Sequence, residues 1–258
     1  MTITAPSAAG DWSEIAANGS FNSRVISAPA NAVVGEGFMI FAQFRNAGGT
    51  LSITPSTGWT ILGPVSNANQ SAQIAVRTMT SGDIGASWTV TTTASSNRAL
   101  ILGRRVLGAD LSSAVIGSLS TPAAESTLTI PGVTTAADNS GVFLVGAAQN
   151  ASTTGVTFTP PSPYDSFSRF VNNGSSSSAS FIGFATKATA GDTGPIAVAM
   201  ASGTTPAASA DQGWAVAFSP IVVGPPPGIP SNVYVKNSTA WNKRTVYVRE
   251  SSGWKAMQ

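Results

Sequence analysis

No window of twelve residues in this chain carries apolar side chains at i, i+3, i+4 and i+7 without a glycine or proline breaking it, so an amphipathic helix has nowhere to form. Short apolar or β-branched runs recur instead, each bounded by Gly, Pro, Asn or Ser. Residues 37–44, 73–78, 87–91, 99–102, 141–146, 181–184, 195–199 and 213–218 all have this form. They read as strands. The chain is therefore expected to be all-β, with helix confined to at most one turn over residues 12–17.

The strand runs are duplicated. Thr54-Pro-Ser-Thr-Gly-Trp59 answers to Thr159-Pro-Pro-Ser-Pro-Tyr164 at an offset of 105, and Ser81-Gly-Asp-Ile-Gly85 answers to Ala190-Gly-Asp-Thr-Gly194 at 109. The strand from Phe38 matches that from Val142 at 104. Three matches in one order, drifting by about five residues, indicate an internal repeat. The expected body is a duplicated antiparallel β-sandwich, jelly-roll-like, with an N-terminal segment over 1–19, a first half over 20–110 and a second over 124–220. One shared sandwich and two separate domains are both compatible with this pattern.

After Pro220 the chain runs through three consecutive prolines flanked by glycines. Such a run cannot feed a sheet ladder and makes a semi-rigid spacer, so residues 221–230 are read as a linker. Beyond it, Val233-Tyr-Val-Lys-Asn-Ser-Thr-Ala-Trp241 and Val246-Tyr-Val-Arg-Glu-Ser-Ser-Gly-Trp254 repeat with period 13. Each copy reads as a strand, a turn and a returning strand. Residues 231–258 are thus expected to form a small β-hairpin module, too short to fold without a partner.

Composition removes several chemistries. The chain of 258 residues has no His and no Cys, which excludes a Ser-His-Asp triad, a Cys nucleophile, a disulfide framework and the usual zinc sites. No cofactor, metal or catalytic residue is predicted. Charged residues make up 9%, against about 25% in an average domain, so Ser, Thr, Asn and Gly must wet the surface. No apolar run approaches the roughly 18 residues of a membrane span. The start, Met1-Thr-Ile-Thr-Ala-Pro, lacks the basic and apolar regions of a signal peptide, which predicts synthesis in a cytoplasm.

The net charge of +2 hides an asymmetry: residues 231–258 carry +4, leaving −2 for the rest. A basic protein by its overall pI is thus a near-neutral body with a basic tail, and nucleic acid is not expected as a partner. The tail interleaves Lys236, Lys243, Arg244, Arg249 and Lys255 with Tyr234, Trp241, Tyr247 and Trp254. That mixture suits an anionic glycan or a protein interface; alternatively, the two tryptophans are simply the core of the module. Elsewhere, Asp83 and Asp192 read as turn residues beside glycine. Trp59 and Tyr164 read as packing aromatics, with stacking on sugar as the alternative. The pair Arg104-Arg105 reads as solvated or interfacial.

Five segments together carry a family resemblance: Val34-Gly-Glu-Gly-Phe38, Thr54-Pro-Ser-Thr-Gly-Trp-Thr60, Pro131-Gly-Val-Thr-Thr-Ala-Ala-Asp-Asn-Ser140, Trp214-Ala-Val-Ala-Phe-Ser-Pro220 and the Val-Tyr-Val-Lys/Val-Tyr-Val-Arg repeat. Over roughly residues 25–258 the chain resembles the minor tail proteins of tailed phages that infect Actinobacteria. It departs from them at Arg104-Arg-Val-Leu-Gly-Ala-Asp110, where related sequences often have Tyr-Arg-Gly before an acid. The resemblance implies a non-catalytic virion protein, in the tail or as a capsid decoration protein or head fibre, that works as a homo-oligomer, a trimer by analogy with phage fibres. It implies other virion proteins and host-envelope glycan as partners, with a carbohydrate-binding or polymer-degrading tail component as a further alternative.

Overall fold

The computed structural model describes residues 2–45, 49–66, 70–120, 126–150, 155–172, 177–201, 211–222, 247–250 and 253–256. The chain divides into two compact units, Met1–Ile221 and Val222–Gln258. Among the described residues every strand pairing is antiparallel, and the one helical element is a 3-10 turn at Ser81–Asp83. No helix there is long and apolar enough to cross a membrane. The protein is all-β, as its periodicity requires.

The first unit opens with β1 (Trp12–Ser27), β2 (Gly37–Arg45), β3 (Leu51–Thr54), β4 (Thr60–Ser66), β5 (Ser71–Thr78) and β6 (Ser87–Val106). They make one sheet in the order β1-β6-β2-β5-β4, with β3 paired to the first half of β6. Ten strands follow: β7 (Ala109–Ile116), β8 (Thr127–Ile130), β9 (Thr134–Thr135), β10 (Ser140–Asn150), β11 (Thr157–Thr159), β12 (Phe167–Asn172), β13 (Ser177–Lys187), β14 (Gly191–Asp192), β15 (Ile196–Ala201) and β16 (Gln212–Pro220). Their main sheet has the order β7-β16-β10-β13-β12, beside a three-stranded sheet β11-β15-β8 and the short pair β14-β9.

These two orders are one topology written twice. β7, β16, β10, β13 and β12 stand where β1, β6, β2, β5 and β4 stand. β11, β15 and β8 correspond to β3, the first half of β6 and the second half of β1. The first repeat runs its two longest strands continuously from one layer into the other, and β1 absorbs the change of direction through register shifts between Asn18 and Ser23. The second repeat divides the same path among four strands. β1 crosses residue 19 and β7 starts at Ala109, so each repeat begins earlier than the motif matches alone indicate.

The turn expected over residues 12–17 is not there. That segment lies in β1 and pairs with β6 from Trp12 opposite Arg104 to Ala17 opposite Ala99. A helix that short is marginal in water, and the ladder to β6 satisfies its backbone instead.

Alternation along the central strands builds three cores. From β2, Phe38, Ile40, Ala42 and Phe44 face the core of the first repeat, with Ile26, Ile53, Trp88 and Val90 closing it from the folded-over layer. From β10, Val142, Leu144 and Ala148 face the core of the second repeat, closed by Leu128, Ile130, Phe158 and Val198. The opposite faces, Met39 and Phe41 of β2 and Phe143, Val145 and Ala147 of β10, meet in a third core between the two large sheets, with Trp214 packed edge-on to Phe41. The first unit is thus two sandwiches joined through their large sheets. Strands buried on both faces need apolar residues at every position, which is why β2 and β10 read as unbroken runs.

In the second unit, β17 (Tyr247–Glu250) pairs with β18 (Gly253–Ala256) as an antiparallel hairpin.

Candidate functional site

Of the basic and aromatic residues singled out near the C-terminus, Tyr234, Lys236, Trp241, Lys243 and Arg244 lie outside the described residues. The other four fall on the hairpin: Tyr247 and Arg249 on β17, Trp254 and Lys255 on β18. Its ladder sets Arg249 opposite Trp254 and Val248 opposite Lys255.

In the first repeat, sequence reading placed Asp83 in a turn, and it has a second task there. Asp83 closes the 3-10 turn by accepting hydrogen bonds from the Thr80 amide and hydroxyl at 2.8 and 2.7 Å. It also holds Arg77 at 2.7 Å. Burial pushes the Asp83 carboxyl up, but these hydrogen bonds and the arginine charge outweigh it, leaving the pKa below the usual carboxylate value. The Arg77 guanidinium lies 4.9 Å from the Trp88 ring and 5.3 Å from the Trp59 ring, and the two indoles meet edge to face at 5.3 Å. Asp192, its counterpart in the repeat, is exposed in β14. The two acids therefore belong to separate elements, Asp83 to the 3-10 turn and Asp192 to the short strand β14.

The pair Arg104-Arg105 is not solvated. Arg104 is fully buried and crosses between repeats to Asp165, with the Ala5 and Pro6 carbonyls as further acceptors and the Trp12 ring 4.3 Å away. Arg105 binds Asp11 and grips Glu36 at 2.8 Å. Their acids lie far away in sequence, so local alternation could not find them. Alternation holds nonetheless, sending one arginine to each side of the sheet.

Asp165 also organises what lies beside it. Its carboxylate accepts the Phe184 amide at 2.8 Å while its own amide donates to the Phe184 carbonyl at 3.0 Å. This staples residues 160–165 onto β13 and sets Tyr164 as one wall of an open pocket of about 430 Å³. Val142, Ala185 and Ile196 line it with Pro161, Pro163 and Pro195, and Lys187 is part of the same lining. Burial pushes the Tyr164 phenol up. The hydroxyls of Thr186 and Thr193, also in the lining, are committed to the Ile3 and Gly194 carbonyls. Among the described residues, the Tyr164 hydroxyl and the Lys187 ammonium have no hydrogen-bond or ion-pair partner.

The repeat explains the space. Phe38 stands opposite Arg77 in the first ladder, as Val142 stands opposite Ala185 in the second. Ile53 pairs with Val90 as Phe158 pairs with Met200, which makes Val198 the counterpart of Trp88. Tyr164 is the counterpart of Trp59 by motif. Every exchange from first repeat to second, Phe38 to Val142, Trp59 to Tyr164, Arg77 to Ala185 and Trp88 to Val198, removes volume. Three of the smaller residues, Val142, Tyr164 and Ala185, line the pocket, while Val198 is buried in the core of its repeat. Tyr164 was visible in sequence through its motif; Lys187 was missed, although it is the one lysine before residue 236.

No family model, curated protein or solved structure matches this chain.

Proposed function

We propose that the protein is a non-catalytic structural component of a phage particle, a minor tail protein that contributes to tail assembly and host-surface contact. The observation that carries this reading is how the first unit uses its charge. Asp11, Glu14, Glu36, Asp83 and Asp165 are each bound to an arginine, and these pairs fasten turns to sheets and one repeat to the other. A carboxylate paired with a guanidinium is an acceptor that fixes geometry. Charge used as fastening suits a body that must keep its shape in an assembly.

The resemblance in sequence supplies the particle. Residues 231–258 supply the attachment or glycan-contact element, through Tyr234, Trp241, Tyr247 and Trp254 and the bases among them. Other virion proteins and further copies of this chain are its neighbours. Quantitative mass spectrometry of purified particles from a phage encoding this chain tests the proposal. A low copy number in the tail fraction is expected; abundance comparable with the shell protein moves the chain to the capsid surface, and absence from particles overturns the reading.

A further inference from the structure

We propose that the pocket beside Tyr164 binds a saccharide ring bearing an anionic group, the ring lying on Tyr164 and its proline neighbours and the anion meeting Lys187. This goes beyond the function proposed above, which places host contact in residues 231–258, and it holds wherever the protein resides.

Four observations converge on it. The space is built into the second repeat, because Val142, Tyr164 and Ala185, which line it, are each smaller than their counterparts in the first. Its volume of about 430 Å³ lies within the usual range for small-ligand sites, roughly 300–1,000 Å³. Its walls are flat and apolar: a phenol, three pyrrolidine rings and the side chains of Val142 and Ile196. Such walls accept the C–H face of a ring. The pocket is also open, so the far edge of the occupant stays wet, which favours a hydroxylated ring over a wholly apolar one.

The charge requirement comes from Lys187, a cation that the second repeat adds two residues beyond Ala185, the counterpart of Arg77. In the first repeat the cation over the aromatics, Arg77, finds its acid within the chain in Asp83. At the second, Lys187 has no acid among the described residues. A ligand that completes the second site as the chain completes the first brings both a flat face and a negative group. The Tyr164 hydroxyl is left to bond a ring oxygen or hydroxyl. Stapling of residues 160–165 by Asp165 keeps the wall in place before binding, which lowers the ordering cost.

The test is a titration of the full chain, labelled for amide NMR, with tetragalacturonate and with maltotetraose as its uncharged counterpart. The acidic sugar is expected to give saturable shifts at Tyr164, Lys187 and Ala197, with maltotetraose binding about tenfold more weakly, the size of one charge-assisted contact. Lys187→Gln is expected to bring the acidic sugar down to the level of the neutral one. Ala185→Leu, which refills the space from a strand, and Tyr164→Ala are each expected to abolish the shifts. If Tyr164→Ala disturbs the spectrum at large, Ala185→Leu and Lys187→Gln still decide. No saturable shift at these residues, equal binding of the two sugars, or binding unchanged in Lys187→Gln and Ala185→Leu overturns the proposal.

Discussion

At Arg104 one guanidinium serves Asp165 in the other repeat, two carbonyls near the N-terminus and the face of Trp12. Removing the cation leaves the two carbonyls and one Asp165 oxygen without that donor and opens a cavity, so Arg104→Ala is expected to cost about 3–5 kcal/mol in urea unfolding. Asp165→Asn leaves the cation its two carbonyls. Asp165 is also 42% exposed, so solvent already screens the pair, and the expected loss is smaller, about 1–2 kcal/mol. Asp211 has the opposite character. It is buried, one of its oxygens has no partner among the described residues, and a single amide, that of Gln149, reaches the other at 3.4 Å. Burial raises its pKa to about 7, the amide offsetting only part of the rise. An acid whose folded pKa is raised keeps its proton in the folded state where the unfolded chain has lost it. Its contribution to stability is therefore full below the ordinary carboxylate pKa and declines as pH rises toward about 7. Asp211→Asn is expected to stabilise the protein by about 2–4 kcal/mol at about pH 8 and to make no difference near about pH 4. Asp83 has the reverse sign: its depressed pKa gives stability that is present above the ordinary carboxylate pKa and lost as pH falls through the folded value. Asp83→Asn should therefore destabilise at neutral pH and lose its effect in acid. Urea melts of the two variants across pH must slope in opposite directions.

Among the strands, β4 carries a bulge, and a glycine makes it possible. Register against β5 shifts between Leu62 and Val65, and Gly63 takes φ of +51° there. A Cβ at Gly63 would also sit 2.4 Å from the Ile116 side chain, in the region where the two large sheets meet. Gly63→Ala is expected to cost about 1–3 kcal/mol, from strain and from the displaced neighbour together, measurable as a lower melting temperature with an unchanged β spectrum. The same strand shows where sequence reading stops. β2, β5, β10, β13 and β16 were legible because they are buried along most of their length and need apolar residues on both faces. β4 and β12 lie at sheet edges, where one side of the ladder is open and polar residues, or Pro64 beside a bulge, are tolerated. β1 and β7 are also edge strands and carried no run. At the candidate pocket, Tyr164 was legible because its motif recurs. The vacancy was not, because it depends on Arg77 becoming Ala185, a pair that only the ladder aligns. The partners of Arg104 and Arg105 were hidden for the same reason.

For the whole molecule, the three cores draw their members from Ile3 to Phe218, and the last backbone tie in the first unit runs from the Ile221 amide to the Gly108 carbonyl. All of it lies within Met1–Ile221. A chain lacking residues 224–258 is therefore expected to keep its β-sheet circular-dichroism spectrum and to melt within a few degrees of the full chain. In the function proposed above, this segment acts by what it meets outside the first unit. With stability unchanged, the deletion becomes a clean probe of the proposed role. If the segment anchors the protein, truncated chains are absent from purified particles while accumulating in folded form in the infected cell. If it is the adhesive element, truncated chains assemble normally and the particles adsorb poorly to the host. Arg249→Ala and Trp254→Ala, which stand opposite each other in the hairpin ladder, should reproduce in part whichever loss the deletion produces. Normal incorporation together with normal adsorption would show that Tyr234, Trp241, Tyr247 and Trp254 serve neither role, and would leave the sandwich, with its pocket at Tyr164, as the part of the chain that makes contact.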